Sequence, residues 1–152
     1  MSTRVDILNA MATILASVSG LSADLVHRGI PDVTMMQAGP LAFIDCPNLT
    51  SREDDHLGGF RRMLMVHIVL VTPAAIGVSA RDTAIDTLAD LVCAALEADR
   101  TLSAVTSAPV VAMALESFDV AMGDEIAASL ASQAVAEMVI RIEYIATSGM
   151  GI

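Results

Sequence analysis

Apolar residues recur at three- and four-residue steps over 3–19, where Val5, Leu8, Met11 or Ala12, Leu15 and Val18 share one side. That period predicts a first helix, with Thr3 as its N-cap, Asp6 three residues on and Gly20 as its stop. The clearest helical pattern lies at 79–98, where Ile85, Leu88, Val92 and Ala95 or Leu96 form a core stripe and Asp86, Asp90 and Glu97 a wet side. Ser79 with Asp82 forms its predicted start, and DRTL at 99–102 ends it.

Elsewhere the period drops to two. Over 60–72, Leu64, Val66, Ile68 and Leu70 alternate with Arg61, Met63, Met65, His67, Val69 and Val71, the longest strand pattern in the chain. Its C-terminal part is apolar on both faces and is expected to be covered on both. Over 135–147, Met138, Ile140, Ile142 and Tyr144 alternate with Glu137, Val139, Arg141, Glu143 and Ile145. Residues 41–46 (LAFIDC) and 108–120 also read as strands. The Gly29–Pro31 and Gly39–Pro40 breaks bound short strands expected at 24–28 and 33–37. A loop or short helical insert is expected at 121–133, and a loose tail at 148–152. Pro47 ends the 41–46 strand in this reading, leaving a long polar hairpin loop at 47–59.

Strands joined only by loops pair antiparallel. The expected architecture is therefore one α+β domain over 1–152, a mostly antiparallel sheet with two main helices packed on one face. A chain of 152 residues suffices for one such core.

Composition sharpens this picture. Hydrophobic residues make up 55% and aromatic residues only 3%, so the core is aliphatic. Either apolar surface is covered by other subunits, or abundant Ala sits on ordinary packed helices. Eighteen acids face eight bases, all of them Arg, for a net charge of −10. Such a surface repels nucleic acid, because binding by phosphate neutralisation needs a basic patch. Cys46 and Cys93 form no C-x-x-C motif and read as buried free thiols. No signal peptide is expected from the polar start and the interrupted first helix. The longest apolar run, 63–78, contains His67 and Pro73 and falls short of the ~20 residues of a membrane span.

Candidate chemistry concentrates in SREDDHLGGFRR at 51–62. Glu53, Asp54 and Asp55 next to His56 raise the question of a metal or acid–base site. Contiguous acids on a loop do not converge, a calcium loop needs alternate ligands and a distant Glu, and zinc needs more His or Cys nearby. His27 and His67 sit singly in strands. There is no nucleophile elbow, Walker loop or dinucleotide fingerprint. No enzyme, metal or cofactor is expected. The two-signed charge of Arg52, Glu53, Asp54, Asp55, His56, Arg61 and Arg62 suits docking to a neighbour, against the plainer reading of a solvated hairpin tip.

The chain resembles the tail terminator (tail completion) proteins of long-tailed phages and related tail-like particles. The likeness is diffuse and spans most of the chain: the first helix, VHRGIPDV (26–33), GPLAFIDC (39–46), a polar hairpin, RRMLMVHIVLV (61–71), DTLADLVCAALEADRTL (86–102) and AEMVIRIEYIAT (136–147). It departs at Ser103, where members often carry Gly. The resemblance implies a structural, non-enzymatic virion protein without cofactor. It implies a homo-oligomeric ring, commonly a hexamer, on the head-proximal end of the tail. That ring would end tube growth, contact the tail tube protein and the neck or head-completion protein, and let DNA pass without specific binding; no membrane is involved. The uncovered sheet face or the strand edges would build the ring. Glu137, Arg141 and Glu143 then become charged interface pairs or channel wall, unless they are simply a wet sheet face. Competing readings are a neck or head-completion connector and a small-molecule-binding α+β domain using His56 and its acids.

Overall fold

A computed structural model describes the backbone of residues 2–37, 39–54 and 59–146, and side chains throughout these except 48–54 and 59. In chain order the helices are α1 (Thr3–Ala16), α2 (Val33–Met36) and α3 (Val78–Glu97), and the strands are β1 (Val26–Arg28), β2 (Leu41–Asp54), β3 (Gly59–Val71), β4 (Val110–Met122) and β5 (Ala134–Ala146). Short 3-10 turns occupy Ala23–Leu25, Gly123–Glu125 and Ala128–Leu130. The fold is α+β, as the alternating periods predict.

The strands form a single sheet in the order β1-β2-β3-β5-β4. β2–β3, β3–β5 and β4–β5 pair antiparallel. β1 pairs parallel to β2, Val26 opposite Ala42, against the expectation that loop-joined strands run antiparallel. The reason lies at 33–37, which is not the strand expected there. Asp32 Oδ1 accepts the Thr34 amide at 2.8 Å and caps the single turn α2. That turn lets the chain cross over and re-enter in the same direction.

The alternation does the work predicted for it. Leu64, Val66, Ile68 and Leu70 of β3 are fully buried, as are Met138 and Ile142 of β5. They pack with Ile7, Leu8, Met11 and Leu15 of α1 and Ile85, Val92 and Leu96 of α3 into the main core. Each such side chain contributes roughly 1.5–3 kcal/mol relative to exposure. A smaller cluster covers one end of the opposite face: Met36, Leu41, Phe43, Val71, Leu130 and Val135. This accounts for the doubly apolar end of β3.

Helix ends differ from the expected ones. α1 begins at Thr3 as expected, but Ser2 Oγ, accepting the Val5 amide at 3.2 Å, takes the capping role expected of Thr3. It ends at Ala16 rather than Ser19, where Ser17 Oγ takes the Ile14 carbonyl at 2.6 Å. α3 starts at Val78, because Gly77 holds φ +92° and turns the chain into the helix.

The expected hairpin loop at 47–59 is largely strand. β2 continues through Asp54 and β3 begins at Gly59, with Asp54 opposite Gly59. Pro47 does not stop β2, because the register shifts between Asp45 and Asn48 and the pairing with β1 spans 42–44. Proline is tolerated at such an edge bulge, where its missing N–H costs no ladder bond.

Candidate functional site

The face of the sheet away from α1 and α3 collects most of the charged residues of β3, β4 and β5. Alternation places Arg61 and His67 on it from β3 and Glu137, Arg141 and Glu143 from β5. β4 adds Glu116 at a register shift between Leu115 and Ser117. An extra residue at a bulge re-aims its side chain. Here it brings the Glu116 carboxylate to Arg141 Nη1 in a short charge-assisted hydrogen bond.

These groups form a chain of ion pairs. Arg61 Nη1 lies 3.8 Å from Glu143 Oε1, and Glu143 Oε2 lies 3.8 Å from Arg141 Nε. Glu143 is the most enclosed member, its side chain 12% exposed. His67 Nδ1 and Glu137 Oε1 stand 2.9 Å apart at the other end of the face. Exposed pairs of this kind are worth about 0–1 kcal/mol each. Their effect is on orientation and surface charge. Asp45 lies opposite His67, and Asp119 opposite Glu137. Among the residues whose side chains are described, the face carries five carboxylates, from Asp45, Glu116, Asp119, Glu137 and Glu143, against the two guanidiniums of Arg61 and Arg141.

The arrangement offers little chemistry. Among the described residues no group of three or more His, Cys, Asp and Glu is placed to hold a metal ion. Four clefts among the described residues, on this surface and beside the helices, measure about 70, 200, 240 and 280 Å³. Small-molecule sites usually begin near ~300 Å³. No described helix is long and apolar enough to cross a membrane.

The residues expected to dock lie on both faces of β3 and along β2. Arg61 is on the open face and Arg62 is buried at 2% exposure beneath the helices. Arg62 lies opposite Tyr144, itself 1% exposed. Burial pushes the Tyr144 phenol above its ordinary pKa, with the Arg62 charge opposing and Cys46 adding to the shift. Arg62 is thus a residue of the core face, not of the exposed rim. Arg52, Glu53 and Asp54 belong to β2, with Arg52 opposite Arg61 in register, and their side chains lie outside the described set. Asp55 and His56 fall outside the described residues altogether.

One structural residue escaped the sequence reading. Gln133, within the segment expected as an insert, is 2% exposed. Its Nε2 donates to the Met36 carbonyl at 2.7 Å and the Thr72 carbonyl at 2.9 Å, fastening α2 to the end of β3. Gly39 makes room for it: an added Cβ would lie 2.4 Å from the Thr72 oxygen and 2.9 Å from Gln133 Nε2. No periodicity reveals a glutamine that joins segments so distant in the chain.

No family model and no curated protein matches the chain. Among solved structures it is similar to a chain of the virion of a native gene transfer agent (GTA) particle. The TM-score is 0.53 at 13% identity, over 95% of this chain and 98% of the other. At that identity the likeness is one of fold, shared nearly end to end.

Proposed function

We propose that this chain is a structural protein of a phage or phage-like particle, and within that class a tail terminator. It would form a ring, commonly of six subunits, at the head-proximal end of the tail tube. There it would end tube polymerisation and present the surface that joins the head. The observation that carries the reading is the end-to-end fold likeness to a chain of a gene transfer agent virion, joined to the sequence resemblance above. The acidic open face supports it, since a channel wall rich in carboxylates lets DNA pass without adhering. Arg141 and Glu143 fit that wall better than a subunit contact, because their charges are already paired within the chain, and Glu137 adds a carboxylate held beside His67. The β2–β3 hairpin carrying Arg52, Glu53, Asp54, Asp55, His56 and Arg61 would reach the tube or the next subunit. No catalytic step and no cofactor enter this role, and the neighbours are the tube protein and a neck protein.

A neck or head-completion connector is the second reading, since the virion likeness favours it equally. Tail assembly with purified tube protein separates the two. A terminator gives tubes of uniform length capped at one end by a ring in negative stain, whereas a connector leaves tube length unregulated and binds only finished tails. A chain that stays monomeric in native mass spectrometry with and without tube protein overturns the ring.

A further inference from the structure

The layer of helices is narrower than the sheet beneath it. Strands lie about 4.8 Å apart, so five of them span roughly 24 Å. Two helices packed about 10 Å apart cover roughly 20 Å. α1 packs on β1 and β2, and α3 on β5, β3 and β4. The uncovered strip falls at β4, the last strand of the sheet. Leu115, Phe118 and Val120 stand opposite Ile140, Met138 and Ala136, all of them buried in the main core. They therefore share the helix side of the sheet, yet they are 50%, 37% and 40% exposed.

The result is a groove between α3 and β4. Its main part, about 240 Å³, lies between Leu115 and Phe118 on the strand and Asp86, Ala89, Asp90 and Cys93 on the helix. A smaller part of about 70 Å³ shares Cys93 and Leu115 and runs on to Glu97 and Met113. Arg100 closes that end. Its Nη1 lies 3.3 Å from Glu97 Oε1, and its Nη2 donates to the Met113 carbonyl at 3.1 Å. Four-residue spacing sets Asp86 with Asp90, and Ala89 with Cys93, on the side of α3 that borders the groove. Ala89 and Cys93 are small enough for a neighbouring backbone to come close. Asp86 and Asp90 are exposed and, among the described residues, enter no ion pair.

We propose that this groove receives an amphipathic basic helix of another protein. Its apolar side chains seat on Leu115 and Phe118, and its Lys or Arg side chains meet Asp86 and Asp90, which is recognition of the helix-in-groove kind. The floor of the groove is the face of β4 and not its edge. The occupant therefore lies on top of the sheet, beside α3, where a third helix of the chain would pack. The acidic rim selects a partner that brings cations. The helices of a second copy do not bring them. Arg4 is the one base of α1 and Arg81 the one base of α3, and they already donate within the chain to the Cys46 and Ala131 carbonyls. α2 carries no base. The inference holds for a terminator and for a connector, and it does not depend on ring assembly.

A synthetic peptide of about 18 residues, five helical turns, with Leu at i, i+3, i+4 and i+7 and Lys elsewhere, is the probe against the full chain. Fluorescence anisotropy should show saturable binding, and helical circular dichroism should rise on mixing. Bound peptide should slow maleimide labelling of Cys93, while Cys46, 1% exposed, stays silent. Asp86→Asn with Asp90→Asn should weaken binding about tenfold at low salt. Asp24→Asn with Glu137→Gln, the same change of charge elsewhere, should leave it within about twofold. Leu115→Ser, at a half-exposed position, should weaken it about tenfold at low and high salt alike. A scrambled peptide of the same composition that binds equally, or a Cys93 labelling rate that the peptide leaves unchanged, reduces the attraction to net charge and overturns the groove. No saturable binding up to about 1 mM, the weak end of the affinity scale, overturns it as well. A β signal in place of the helical one assigns the groove to a strand, and Cys93 labelling that slows with protein concentration alone assigns it to a second copy. Either result overturns the proposed occupant.

Discussion

At the scale of single residues, Arg61 and Arg62 show how adjacent identical side chains acquire opposite roles. Alternation along β3 sends one to the open face and the other beneath the helices. Arg61→Gln should cost about 1 kcal/mol, because it gives up a partly exposed pair with Glu143. Arg62→Glu should cost about 3 kcal/mol or more, because it reverses a charge that the core face encloses. Urea melts of the two isolated variants check the contrast; equal losses would refute it. Gln133→Leu should cost about 2–4 kcal/mol by the same measurement, since two buried carbonyls lose their donor. Cys93 provides a pH handle. Burial raises its thiol pKa, and Asp90 and Glu97 raise it further. The folded state therefore holds the proton longer than the unfolded chain. This contribution to stability is intact below the ordinary thiol value of 9.0 and is lost as pH climbs above it. Asp90→Asn should accordingly speed alkylation of Cys93 near neutral pH, followed by mass spectrometry; an unchanged rate would refute the assignment.

At the scale of elements, periodicity located α1, α3, β3 and β5 within a few residues at each end. It did so because each buries one face against the same core, and one-sided burial writes itself into spacing. It failed where local polarity and tertiary pairing disagreed. The 47–54 segment looks like loop by composition, yet β3 supplies hydrogen-bond partners through Asp54. The 33–37 segment looks like strand, yet one capping carboxylate turns it into α2. The 3-10 turns after β4 rest on a close approach that composition hides. A Cβ on Gly123 would come 1.7 Å from the Leu130 oxygen. Gly123→Ala should therefore cost about 3 kcal/mol in a urea melt, through overpacking of a turn with no room to relax. A loss below half that would mean that the turn gives way freely.

At the scale of the whole molecule, the sheet separates two surfaces with different assignments. The open face is acidic and only partly paired within the chain. The edges keep apolar side chains such as Ile30 and Leu115 exposed. If the open face lines the channel, replacing Glu116, Glu137 and Glu143 together by Gln should leave ring assembly intact. It should also raise salt-sensitive DNA retention by the ring, measured by filter binding at low and high ionic strength. Retention unchanged at low salt would remove this face from the channel.

The sequence by itself determined the fold class, the two main helices, the aliphatic core and the acidic character. All of these follow from local spacing or from sums over the chain. Tertiary structure alone decided the parallel placement of β1, the continuation of β2 past Pro47 and the Gln133 latch. Each of these depends on which distant backbone supplies a partner, and no window of neighbouring residues contains that information.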